Sequence, residues 1–234
     1  MGQKGLVMAV FGSQYILSPY LFDHADIDFP MTLHSWLSNV GRTSMDIYRI
    51  LETADSERKV LLSGVVRNVC MDTVRGNSVP FPNPPQRHVS SVLPPTVGLR
   101  RFPTIKVPES SAAASFLTTI RVRYDDMRIR IHYADIDHNW HTTQSSYMVF
   151  ALECAARAAA AGYYSRIRGD IAFYRALSWT CVHLGESFAE DELQVSTWED
   201  VNNALLLHFL VNRQQRRICY IEIEFGENTI ASKL

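Results

Sequence analysis

Between residues 133 and 147 the sequence reads YADIDHNWHTTQSSY. Carboxylates stand at Asp135 and Asp137, imidazoles at His138 and His141, and phenols at Tyr133 and Tyr147. Three readings fit these residue types. Acids and histidines together can ligate a cation. A single carboxylate at the mouth of a helix can act as general base or nucleophile. A polar turn can also cap a helix and do no chemistry. Spacing separates the first two readings. Residues two apart on extended backbone share a face, so Asp135 and Asp137 point one way and His138 the other. Adjacent sequence offers no second cluster of outer ligands, and His24, His34, His183 and His208 stand alone. A carboxylate at a turn is therefore favoured, with no metal and no cofactor expected.

The elements around the turn would position that carboxylate. Tyr147, Phe150, Ala151, Cys154, Ala155 and Ala158 recur at helical spacing and form one apolar stripe. Alanines at 155, 156 and 158–161 make this helix slim, and Gly162 is a natural stop. Thr142 or Thr143 suits its N-cap. The first N–H groups of such a helix lack intrahelical partners and carry the positive end of its dipole, which suits a developing oxyanion. Before the turn, MRIRIHY (127–133) alternates as a half-buried strand does. After the helix, strands are expected at 192–199, 204–211 and 217–225. One long helix followed by antiparallel strands is an α+β pattern, an antiparallel sheet wrapped around a central helix.

The rest of the chain divides around a proline-rich stretch. Eight of the ten prolines lie between residues 77 and 115, which removes ladder donors and favours extended backbone. We read residues 1–82 as a partial unit, 83–115 as a linker and 116–234 as a complete one. MTLHSWLSNVGRTSMDIYRIL can be laid on LQVSTWEDVNNALLLHFLVNR, with Met31 on Leu193 and Trp36 on Trp198. Trp is the only identity, so the repeat is one of pattern. Nothing before Met31 leaves room for a strand, a five-turn helix and a returning strand. The first unit would thus leave a sheet face without its helix. Such a face predicts a homo-oligomer, or residues 1–30 and the linker folding over it.

Composition closes off other classes. The 234 residues carry 23 basic and 24 acidic side chains, without the basic excess that phosphate backbones demand, so no nucleic acid is expected. No apolar stretch reaches the ~20 residues of a membrane span. Cys70, Cys154, Cys181 and Cys219 form no CxxC pair and read as buried, reduced thiols. The final Ser232-Lys233-Leu234 reads as a peroxisomal import address, recognised by the import receptor; without it a cytoplasmic location is expected.

The turn resembles that of the hotdog-fold acyl-CoA thioesterases of the 4-hydroxybenzoyl-CoA thioesterase-like group. Their pattern is a Tyr or Phe, Asp-x-Asp, x-x-Gly-His-Val-Asn-Asn, then Tyr three residues on. Tyr133, Asp135, Asp137, His141 and Tyr147 match at that spacing. Trp140, Thr142, Thr143 and Gln144 depart from the Gly, Val, Asn and Asn. The resemblance covers about 116–226 and extends weakly to 15–82, as a double hotdog with a truncated first unit. It implies hydrolysis of acyl-CoA to free acid and CoA, with coenzyme A entering only as part of the substrate. It further implies Asp137, His141, Thr143 and Gln144 as the catalytic set and Asp135 and Tyr147 as substrate contacts. Asn39, Arg42, Thr43 and Ser44, in a segment similar to the family's Gly-x-Ser-Ser strand, would add to the pocket. The alternative is a non-catalytic acyl-CoA or lipid-binding hotdog protein.

Overall fold

The computed structural model of the chain describes residues 5–23, 30–83, 118–120, 135–137 and 141–227. The linker expected at 83–115, apart from Asn83, lies outside the described residues, as do the strand expected at 127–133, His138, Trp140 and the 232–234 tripeptide. The chain forms two compact units, Met1–Thr104 and Ile105–Leu234.

In the second unit, strands β7 (Ala176–His183), β8 (Leu193–Glu199), β9 (Leu206–Arg213) and β10 (Arg216–Phe225) follow one long helix, α2 (Gln144–Ala160). Their order in the sheet is β7-β10-β9-β8, and β6 (Thr118–Ile120) pairs outside β8. All these pairings are antiparallel. The three strands expected after the helix are present within two residues of their expected ends. β7 was not expected, although Leu177, Trp179 and Cys181 alternate with Ser178 and Thr180. A two-residue turn joins β9 to β10, with Gln214 at φ 47 and Gln215 at φ 66. Both lie in the left-handed region that side-chain-bearing residues seldom adopt.

Local chemistry sets both ends of α2. Thr143 is extended and its hydroxyl accepts from the Ser146 N–H at 3.2 Å, a side-chain N-cap. At the other end Gly162 takes φ 75. Its N–H donates to Ala159 O and the Tyr163 N–H donates to Ala158 O, both at 3.0 Å. That pair of bonds is a Schellman motif, which glycine enters without steric cost. The face bearing Tyr147, Phe150, Ala151, Cys154, Ala155 and Ala158 is buried against Val195, Phe209, Cys219, Ile221 and Ile223. Ala151, Ala155 and Ala158 are fully covered, so the slim stripe lets the sheet approach closely. A fully buried isoleucine such as Ile221 contributes roughly 1.5–3 kcal/mol through the water it no longer orders.

In the first unit the order is β2-β3-β4-β1, for β1 (Leu6–Leu17), β2 (Met31–Val40), β3 (Ser44–Thr53) and β4 (Val60–Asp72). A two-residue β5 (Asn77–Ser78) pairs with β4. The only helix described in this unit is the one-turn α1 (Tyr20–Asp23), which buries no residue. Residues 6–17 therefore extend the sheet along β4 instead of folding over its face. On β1, the Tyr15 ring lies against Gly64 of β4. A Cβ at Gly64 would stand 2.3 Å from Tyr15 Cδ1 and 2.6 Å from Gln14 O, so glycine is needed for that close approach.

Candidate active site at the mouth of the central helix

Two short segments make the turn. The Asp137 N–H donates to His141 O at 2.8 Å and the Thr143 N–H donates to Asp135 O at 2.7 Å. These rungs flank an isolated bridge between Ile136 and Thr142. The Asp137 carboxylate closes the turn by accepting the His141 N–H at Oδ1, 3.0 Å. Asp137 thus sits two residues outside the rung that leads into α2.

Asp135 turns toward the first helical turn, where its Oδ1 accepts from Ser146 Oγ at 2.9 Å. The Thr143 hydroxyl meets Ser145 Oγ at 2.8 Å and Ser146 Oγ at 2.9 Å. Its contacts are those of a cap. Gln144 is the first helical residue and is half-buried.

A segment 45 residues further on holds this turn in place. The Thr142 N–H donates to Ser187 O at 3.0 Å, and His141 bridges to Phe188. A chain of hydroxyls runs beneath: Ser187 Oγ donates to Thr142 Oγ1 at 2.8 Å, and Tyr147 OH lies 2.7 Å from Ser187 Oγ. Ser187 and Tyr147 are both buried. Burial pushes the Tyr147 phenol up to about 12, against the opposing pull of the Ser187 hydrogen bond. Tyr147 is therefore a neutral, structural member of the site at ordinary pH, placed under the turn instead of in the open.

Glu186 completes the arrangement. Its Oε2 lies 3.9 Å from His141 Nε2, an ion-pair distance when the imidazole is protonated. The His141 ring also stands edge-on to Phe188, with centroids 5.1 Å apart. Sequence reasoning did not single out Glu186, Ser187 or Phe188. The available signal was the Gly185-Glu186-Ser187 break after β7.

Asn39, Arg42, Thr43 and Ser44 lie at the β2–β3 connection of the first unit. Asn39 Nδ2 donates to Asp46 Oδ2 at 3.4 Å. Thr43 O accepts the Cys70 N–H at 2.8 Å, and Arg42 O accepts the Phe81 N–H at 3.1 Å. The Ser44 carbonyl closes the turn on Gly41 N at 2.7 Å. Asn39 and Arg42 are exposed.

Solved structures place this architecture among known folds. The 12:0-ACP thioesterase of Umbellularia californica superposes with TM-score 0.65 at 12% identity, over 97% of this chain and 77% of that one. An acyl-ACP thioesterase from Bacteroides thetaiotaomicron gives 0.59 at 14% identity, over 97% and 79%. The fold is the hotdog fold. The sequence matches no protein-family model and no curated protein, so the hotdog likeness is carried by structure and by the turn motif. No described helix is long and apolar enough to cross a membrane.

Proposed function

We propose that this hotdog protein hydrolyses acyl thioesters, releasing a free acid and a thiol, with acyl-CoA as the substrate class. One observation carries the reading. The Asp137 carboxylate is held by a two-rung turn at the mouth of the buried helix, beside a His141–Glu186 pair. Asp137 takes a proton from the water that attacks the thioester carbonyl carbon. N–H groups of the first turn of α2, at the positive end of the helix dipole, receive the oxyanion. Collapse of the tetrahedral intermediate breaks the C–S bond. His141, steadied by Glu186, donates a proton to the departing sulfur. The chemistry needs no cofactor beyond the coenzyme A that the substrate carries. The half-buried helix-side face of the first unit favours assembly as a homo-oligomer, which sedimentation would report.

The test is CoA release across short, medium, long and aromatic acyl-CoAs, with acyl-ACP included because both structural neighbours are named for it. Asp137→Asn keeps an oxygen acceptor for the His141 N–H but loses the base. It should lower kcat by roughly 10²–10⁴-fold with an unchanged circular dichroism spectrum. Wild-type turnover by Asp137→Asn would end the assignment. Binding of acyl-CoA without release by the wild-type protein would favour the non-catalytic alternative.

A further inference from the structure

Two thiols and an imidazole converge on the helix-facing side of the second sheet. Cys181 and His183 stand two apart on β7, so their side chains share a face, and Cys219 lies opposite His183 on β10. Cys181 Sγ is 3.5 Å from Cys219 Sγ and 3.6 Å from His183 Nε2. All three donor atoms fall within 4.8 Å of one another. Both cysteines are fully buried and His183 is half-buried. The Tyr147 ring flanks His183, with centroids 5.4 Å apart.

These distances match a known geometry. A tetrahedral zinc ion, with bonds of ~2.3 Å to sulfur and ~2.05 Å to nitrogen, sets its ligand atoms roughly 3.5–3.8 Å apart. Two of the three edges are already at that length. Simple packing of thiols does not require an imidazole nitrogen turned onto them. Cys154 in the same core shows the ordinary arrangement, its Sγ 3.8 Å from Val195 O. A disulfide needs its sulfurs at ~2.05 Å and gives His183 nothing to do. Two thiolates and one imidazole form a soft-to-borderline donor set that disfavours magnesium and calcium.

We propose that Cys181, His183 and Cys219 bind one zinc ion. The two thiols release their protons to solvent as the metal binds, and the imidazole ligates through Nε2. Three protein ligands leave one coordination position for water or an added donor. The ion ties β7 to β10 beneath the first turn of α2. It takes no ligand from Asp137, His141 or Glu186.

Full-length protein, stripped with chelator and reduced, is titrated with cobalt(II) and then with zinc. One cobalt per chain should bind, giving sulfur-to-metal charge-transfer bands in the near ultraviolet and the visible bands of a four-coordinate ion; zinc should bleach both. His183→Ala should weaken zinc binding at least ~100-fold in a chromophoric-chelator competition, since even residues that only orient a ligand cost 10–100-fold. Cys154→Ser should leave it unchanged. The wild-type spectrum is decisive even if a ligand variant fails to fold. Absence of charge-transfer bands, or zinc affinity undiminished in His183→Ala, overturns the proposal. So does a Cys181–Cys219 disulfide found by mass spectrometry in protein purified without reductant and without metal.

Discussion

The two units arrange their strands alike, β2-β3-β4-β1 in the first and β8-β9-β10-β7 in the second. Each places a tryptophan on the first strand of that order, stacked on a histidine: Trp36 on His34 and Trp198 on His208. They differ on the opposite face. In the second unit α2 covers it, and Val195, Phe209, Ile221 and Ile223 are buried there. In the first unit the equivalent face carries Ile47, Leu51 and Leu62 only half-buried beside the buried Val66, and Leu33 is 58% exposed. The helix thus does two jobs in the second unit. It fills one face of the sheet, and its N-terminus follows directly on the turn that holds Asp137. Among the described residues the first unit, with the same strand order, has no long helix and so no helix mouth.

The largest expected effect tests the filled face. Ala155→Leu adds three carbons at a position with no exposure, and such overpacking costs about 1–3 kcal/mol or more. At the corresponding surface of the first unit, Leu33→Ser should change stability by less than ~0.5 kcal/mol. Urea unfolding of both variants compares the two faces directly, and equal shifts would break the contrast.

Gly64→Ala comes next. Its Cβ would meet Tyr15 Cδ1 at 2.3 Å and the Gln14 carbonyl at 2.6 Å. The ring can swing aside but the carbonyl belongs to the β1–β4 ladder, so a cost of ~1–2 kcal/mol is expected. Hydrogen exchange should show the loss in β1 and β4 while α2 stays protected. Loss of protection across α2 instead would mean that the units do not respond separately.

The smallest effect lies on the tryptophan-bearing side of the second sheet. His208 Nδ1 meets Tyr220 OH at 2.8 Å, and Nε2 lies 3.2 Å from Asp200 Oδ2. Glu222 Oε1 is 3.5 Å from Nδ1. Burial alone would lower the imidazole, but its bonds to Glu222 and Asp200 outweigh that and raise it. The bond to His208 holds Glu222 low against burial. Asp200 is also lowered, its burial outweighed by N–H bonds from Asn202 and Asn203 and by His208. The raised imidazole contributes stability that is complete below the unfolded value of ~6.5 and is lost as pH rises through the folded one. The lowered carboxylates contribute above their unfolded values of ~4 and lose that contribution in acid. Urea midpoints of the wild type should therefore fall between pH 6 and pH 8, and those of His208→Gln should fall less. An identical slope in both proteins would remove His208 from the account.

The helix was legible because punctuation and stripe agree: Thr143 caps it, Gly162 stops it, and the buried residues are those of the apolar stripe. β8 and β10 announced themselves by alternation, and β9 by an apolar run broken by His208. β7 did not, because Val182 is buried on the side where alternation calls for a polar residue. Asp137 was singled out by the resemblance of its turn to the thioesterase motif, and the rungs of that turn are local. Glu186, Ser187 and the Cys181–His183–Cys219 cluster did not follow. Those groups meet only through strand register, such as Cys219 opposite His183, and register is a property of the folded sheet that linear spacing does not carry. Residues 6–17 were invisible as a strand for a related reason. Their alternation is blurred by Val7, Met8, Val10 and Phe11, which are apolar and exposed in succession.

The Gln214–Gln215 turn bears on how the chain assembles in time. It joins β9 to β10 across two residues, the shortest closure between strands of this sheet, so its loop entropy is the smallest to overcome. β10 then lies in place as the template on which β7 must register from more than thirty residues away. The hydroxyls of Thr142 and Tyr147 can find Ser187 only after that registration. The turn that holds Asp137 is thus expected to be the last part of the second unit to become ordered, and a chain stalled before that step would hold a formed hairpin without that turn.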